Sequence, residues 1–138
     1  MLDFLYRGTI DEIDARFAYA VTTQVANAAI LAHNCDPVSA HILGRGLTCA
    51  VLCIPMLKSD DERLTIRWNY DGALRSLVAD VGAGGDVRGF VNPTNLSQLV
   101  DDKAAIYGES CQVSVVRSSS AAVLNSGTTR SILRNVSD

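Results

Sequence analysis

The run "VGAGGDVRGFVNP" (residues 81–93) packs four glycines into its first nine positions, and two architectures compete for it. One is a phosphate-cradling loop at the start of a helix. The other is a tight turn between two strands. A phosphate loop needs glycines at set places, so that backbone N–H groups converge on the anion where a helix begins. Gly82 and Gly84 could open a G-x-G-x-x-G pattern, but its third glycine falls on Val87. A P-loop fails as well, since Gly89 precedes Phe90 and Val91 rather than Lys with Ser or Thr. The second half of the run has strand periodicity: Val87, Gly89 and Val91 alternate with Arg88, Phe90 and Asn92 until Pro93 closes it. Upstream, "LRSLVADV" (74–81) alternates Leu77, Ala79 and Val81 against Ser76, Val78 and Asp80. Glycines between two such runs supply the positive φ that a hairpin turn demands. The stretch predicts a turn, and the nucleotide reading loses its motif.

Working outward, "RLTIRWN" (63–69) places Leu64, Ile66 and Trp68 on one face, predicted to enter the core together. Asp71-Gly72 reads as a tight turn into 74–81, giving a three-stranded meander with one apolar face. Beyond a polar loop, "CQVSVV" and "SAAVLNS" read as two further strands joined by Ser118, Ser119 and Ser120. The closing "TTRSILRNVSD" reads as a helix that has only begun.

Toward the N-terminus, "FLYRGTIDEIDARFAYAV" reads as strand, acidic turn, strand. Thr22-Thr23 offers an N-cap for a helix through "QVANAAILAHN". Asp36-Pro37 pairs a capping carboxylate with proline at the first helical position. The helix from Asp36 to about Met56 carries Val38, Ile42, Leu43, Leu47, Ala50, Val51 and Ile54 on one side. Cys49, Leu52, Cys53 and Met56 make the other side apolar, which predicts a central helix packed on both faces. Pro55 should kink or end its last turn, near Lys58.

The 138 residues suit one domain, 1–138, and 48% of them are apolar. The uncharged apolar run Leu47–Leu57 is too short to span a bilayer, so no membrane helix is expected. No secretory signal is visible at the N-terminus, and a cytoplasmic protein is expected. The net charge of −3 and singly scattered Lys and Arg argue against nucleic acid. Cys35, Cys49, Cys53 and Cys111 form neither C-x-C nor C-x-x-C, so no zinc knuckle or thioredoxin-like motif is present.

The candidate chemistry is thin. Cys49 and Cys53 lie one helical turn apart, as a shared metal or redox pair would, but their apolar neighbours favour packing thiols. His33, Cys35 and His41 cluster around the junction of two helices with only sequence proximity behind a metal site. The three serines lack a nucleophile elbow, and "KSDDER" (58–63) reads as a solvated connection. No catalytic, cofactor-binding or metal residue is assigned. The residues give an α+β domain: antiparallel meander sheets on a long central helix.

Several pieces carry a family resemblance: "GRGLT" and "MLK" on the helix, "LTIRWNYDG", "GDVRGFVNP", "TIDEIDARFAYAVTT" and "AVLNSG". In this order they resemble the N-terminal domain of the 33-kilodalton heat-shock protein family, the redox-regulated holdase chaperones of the stress response. The resemblance implies a non-enzymatic domain that binds unfolding client proteins without ATP and keeps them from aggregating. It implies zinc only for full-length members, in which oxidation releases the metal from four C-terminal cysteines and exposes apolar surface on the N-terminal domain. This chain has no such cysteine motif, so it reads as an N-terminal fragment, truncated at its C-terminal end, or as a relative without the switch. Clients and a homodimer are the expected partners. The rivals are a small-molecule-binding domain or enzyme on the same fold, and an interaction module.

Overall fold

The computed structural model describes residues 2–131. Strands β1 (Phe4–Ile10) and β2 (Ala15–Val21) form a hairpin of their own, followed by helices α1 (Thr23–His33) and α2 (Pro37–Leu52). Then come β3 (Arg63–Tyr70), β4 (Ser76–Gly82), β5 (Val87–Asn92), the short helix α3 (Lys103–Tyr107), β6 (Cys111–Ser118) and β7 (Val123–Ser131). The five later strands make one antiparallel sheet in the order β5-β4-β3-β6-β7. This is the expected α+β architecture. The glycine run is the expected turn as well: β4 and β5 pair from Val81↔Val87 to Ser76↔Asn92, and Gly85 sits at φ 93°.

Register sorts the side chains. Leu64, Ile66 and Trp68 pair with Val81, Ala79 and Leu77 across β4, and all six are buried. Across β6 the same three pair with Arg117, Val115 and Val113, which are only half-buried. Helix α2 lies on this inner face over β4 and β5. Its approach is close because Gly46 has no side chain: a Cβ there would sit 2.5 Å from Leu77 Cδ2. Gly89 on β5 does the same for Leu47, whose Cδ2 lies 2.9 Å from where a Cβ would be.

The start of α2 follows the sequence. The Asp36 carboxylate accepts from the N–H of Ser39 at 2.8 Å and from the N–H of Ser97 at 2.7 Å, so the cap also anchors the loop after β5. Burial works against the charged form, but these hydrogen bonds prevail and the carboxyl titrates below its ordinary value.

The rest of α2 stops short of Met56, ended near Pro55 as expected, and is less enclosed than predicted. It ends at Leu52, and Ile54–Met56 form a separate 3-10 turn around Pro55, whose ring cannot continue the helix. It is also sealed on one face only. Ser39, Ile42, Leu43, Gly46, Leu47, Ala50 and Val51 are buried, while His41 and Leu52 are exposed and Arg45, Thr48 and Cys49 half-exposed. Helix α1 and strand β2 flank it without closing over that second side. By length and composition alone, Pro37–Met56 has the 20 residues and mean hydropathy of 1.4 that fit a membrane span, more than the Leu47–Leu57 run suggested. Its packing on β4 and β5 makes it a core helix.

Four local expectations change. Thr22 precedes α1, but its side chain caps nothing; the Asp3 carboxylate accepts from the N–H groups of Gln24 and Val25 at 2.9 and 2.7 Å. The Asp71-Gly72 turn is the longer connection 71–75, docked on α3, where Ala73 and Leu74 donate to the carbonyls of Ala105 and Ile106. The polar loop before β6 contains α3, capped by Asp102 and burying Ile106 and Tyr107. Residues 128–131 continue β7 instead of starting a helix, since they pair with Gln112, Val113, Ser114 and Cys111. The remainder of "TTRSILRNVSD", 132–138, lies outside the described residues.

Candidate functional site

The titratable candidates are scattered. His33 closes α1, Cys35 follows it in the junction, and His41 stands exposed on α2. Among the described residues, no three His, Cys, Asp or Glu side chains are placed to share a metal ion. Burial raises all four thiols. The charge of Asp36 adds to it at Cys35 and Cys49 adds to it at Cys53, whereas Arg45 partly offsets it at Cys49 and a hydrogen bond from Tyr70 at Cys111. Thiols held above their ordinary range are weak nucleophiles at neutral pH. Among the described residues, no histidine is a hydrogen-bond partner of the three serines. Ser120 donates from its N–H and its hydroxyl to Asp61 at 3.2 and 2.8 Å, which ties the β6–β7 turn to the segment before β3.

That segment, "KSDDER", is not merely a solvated connection. Glu62 is buried, 4% exposed, and receives two hydrogen bonds from the Arg117 guanidinium, at 2.7 and 2.9 Å. The N–H of Lys58 and the hydroxyl of Ser59 add one each at 3.0 Å. The Arg117 bonds come first among the causes that hold its carboxyl down at about 2. The pair pins the end of β6 to the segment that leads into β3.

What the fold does assemble is apolar surface. Beyond the reach of α2, the inner sheet face opens into a groove of about 440 Å³. Leu64, Ile66, Val115 and Arg117 line its sheet side, Cys53, Met56 and Leu57 the α2 side, and Asn125, Ser126 and Gly127 the β7 side. Met56 is 69% exposed at its margin, and Leu52 is exposed beside it on the helix. Sequence reading missed the groove because each residue sits in a pattern that also makes core. Gly127 follows the strand run "SAAVLNS" in the sequence and lies inside β7 in the structure, where a glycine marks close approach of something to the backbone.

The hairpin supplies a second apolar surface. Register puts Phe4, Tyr6, Gly8 and Ile10 on the same face as Val21, Tyr19, Phe17 and Ala15, while Leu5 and Ala20 pack toward the core. Tyr6, Phe17, Tyr19 and Ile10 are exposed on that outward face. The Phe4 ring packs against those of Tyr6 and Tyr19, with centroids 5.1 and 5.9 Å away.

Comparison with known proteins places this arrangement. The family model described as "Hsp33 protein" matches residues 3–131. The 33 kDa chaperonin of Clostridium acetobutylicum is 30% identical over 122 residues, which is 85% of this chain and 41% of that protein. The 33 kDa chaperonin of Thermus thermophilus is 38% identical over 107 residues, 76% of this chain and 31% of that protein. The crystal structure of the 33 kDa chaperonin from Thermotoga maritima shares the fold with a TM-score of 0.79, at 24% identity, over 96% of this chain and 46% of that one. This chain therefore spans less than half the length of these relatives. It belongs to the Hsp33 protein family.

Proposed function

We propose that this domain is a holdase-type chaperone module: it binds unfolding proteins in the cytoplasm without ATP, performs no catalysis and keeps clients from aggregating. The observation that carries this reading is the open half of the inner sheet face, a groove of about 440 Å³ with an apolar sheet side left uncovered by α2. An apolar groove of this kind, with Met56 exposed at its margin, suits the apolar side chains of other polypeptides. The family supports the reading, since the relatives are named chaperonins. The Arg117 guanidinium at the groove is engaged by Glu62, so it offers no spare charge for recognising a small polar ligand.

The cysteines of this chain form no C-x-C or C-x-x-C pair and their thiols are raised by burial, so binding is expected without oxidation. Exposed apolar area also favours self-association, and a dimer is the expected competing state. The test is light scattering of a thermally aggregating client mixed with the reduced protein, without ATP, with and without peroxide. Equal suppression in both conditions is the expected result. Suppression in neither would sink the holdase reading, and suppression only after peroxide would show that a thiol switch resides in Cys35, Cys49, Cys53 or Cys111.

A further inference from the structure

Strand β7 ends the sheet, and among the described residues no strand pairs with its outer edge. Proteins usually blunt such an edge with a short strand, a proline or several charges. Here β7 runs nine residues, Val123–Ser131, with Arg130 its only charge and no proline. Residues 123–130 are all exposed. The opposite edge, β5, is six residues long, carries Arg88 and stops at the Asn92-Pro93 bond, with both α1 and α2 packed near it. The two edges are treated differently.

The inner-facing positions of β7 follow from its pairing with β6: Asn125 opposite Arg117, Gly127 opposite Val115, and Thr129 opposite Val113. Gly127 stands at the mouth of the apolar groove, and a Cβ built on it would have no neighbour within 4 Å among the described residues. A side chain arriving from an eighth strand, about 4.8 Å farther out, could therefore lie across Gly127 toward Val115 without obstruction from the described residues. We infer that the outer edge of β7 binds an extended polypeptide segment as an added strand, with a large apolar side chain of that segment laid over Gly127 into the groove. Backbone hydrogen bonds would give sequence-tolerant affinity and the groove would favour alternating apolar residues.

A second copy of this chain fits the edge less well. Antiparallel β7–β7 pairing about Gly127 would bring only Asn125, Gly127 and Thr129 to the inner face, and none of these can fill an apolar groove. The occupant the surface matches is an unfolded segment with apolar residues at every second position. This inference rests on the holdase reading and specifies the conformation in which the client is held.

The experiment measures fluorescence anisotropy of a short labelled peptide alternating leucine and threonine, titrated with the full chain. A second peptide, N-methylated along its backbone, keeps every side chain but donates no backbone hydrogen bond. The expected result is binding of the first peptide and binding at least about tenfold weaker for the second. Gly127→Leu should weaken the first peptide by a similar factor with the far-UV circular dichroism unchanged; should that variant not fold, the methylated peptide decides. Equal affinity for both peptides overturns the proposal, as does unchanged affinity in a folded Gly127→Leu. Client protection without binding of either peptide also overturns it and leaves the holdase reading standing. Peptide binding with both sensitivities but no client protection upholds the edge and sinks the holdase reading. A dimer in sedimentation that Gly127→Leu breaks would assign the edge to a second copy and overturn the peptide.

Discussion

Gly89 and Gly127 terminate the same cross-strand row of the inner sheet face, Gly89–Ala79–Ile66–Val115–Gly127. At the β5 end, Leu47 of α2 fills the space that the missing side chain leaves. At the β7 end no described residue does. The row is continuous, yet one half is core and the other is surface, because α2 is wide enough to cover β4 and β5 but not β6 and β7. Burial falls along the row in step: Ala79 is fully buried, Ile66 6% exposed, Val115 half-buried and β7 exposed. The comparison separates two uses of one device: a glycine in a strand admits a foreign side chain, and the location of the covering helix decides whether that side chain comes from this chain.

The largest effect is expected where the helix closes the row. Leu47 is wholly buried between α2 and the sheet, so Leu47→Ala should destabilise the domain by about 2–5 kcal/mol in urea unfolding. A loss below about 1 kcal/mol would mean that Leu47 does not sit in a tightly packed core. Gly89→Ala attacks the same contact from the sheet side. Its methyl group would overlap Leu47 and the Val78 carbonyl oxygen, which is backbone and cannot swing away. A destabilisation of about 1–3 kcal/mol is expected, and a neutral variant would show that α2 is free to lift from β5.

The sequence exposed the closed half more readily than the open one, for a physical reason. Alternation in 63–69 and 74–81, the glycine turn and the Asp36-Pro37 start are local signals, and each corresponds to a local interaction in the structure. The extent of α2 was not local. Its apolar second side was read as buried because composition does not reveal how broad the neighbouring layers are, and Leu52 and Met56 proved exposed. Short α3 was missed because five residues carry too little periodicity, and its anchoring depends on the distant 71–75 segment. The Asp3 cap on α1 and the Glu62–Arg117 pair are contacts across 21 and 55 residues, which no spacing rule reports.

The Glu62–Arg117 pair anchors β6 and should make the open half sensitive to acid. Its carboxyl titrates at about 2 in the folded protein against an ordinary 4.5. A depressed carboxylate contributes stability that is fully present above its unfolded value and disappears as the pH falls through its folded value. The Tm difference between the wild-type protein and Glu62→Gln should therefore be full at neutral pH and shrink between about 4.5 and about 2. A gap that stays constant to the bottom of that window would mean that the charge on Glu62 is not what holds β6.

The smallest effect separates the two glycines most cleanly. Gly127 has no positive φ to protect, and a methyl group placed on it meets no atom of the described residues within 4 Å. Its cost to the folded state is thus the excess freedom a glycine has in the unfolded chain, and alanine removes part of that freedom. Gly127→Ala should stabilise by about 0.4–1 kcal/mol, opposite in sign to Gly89→Ala at the other end of the row. Thermal unfolding of the two variants side by side reads the difference directly. If Gly127→Ala destabilised as Gly89→Ala does, the β7 end would already be packed against something in the isolated chain, and the asymmetry between the two halves of the sheet would be lost.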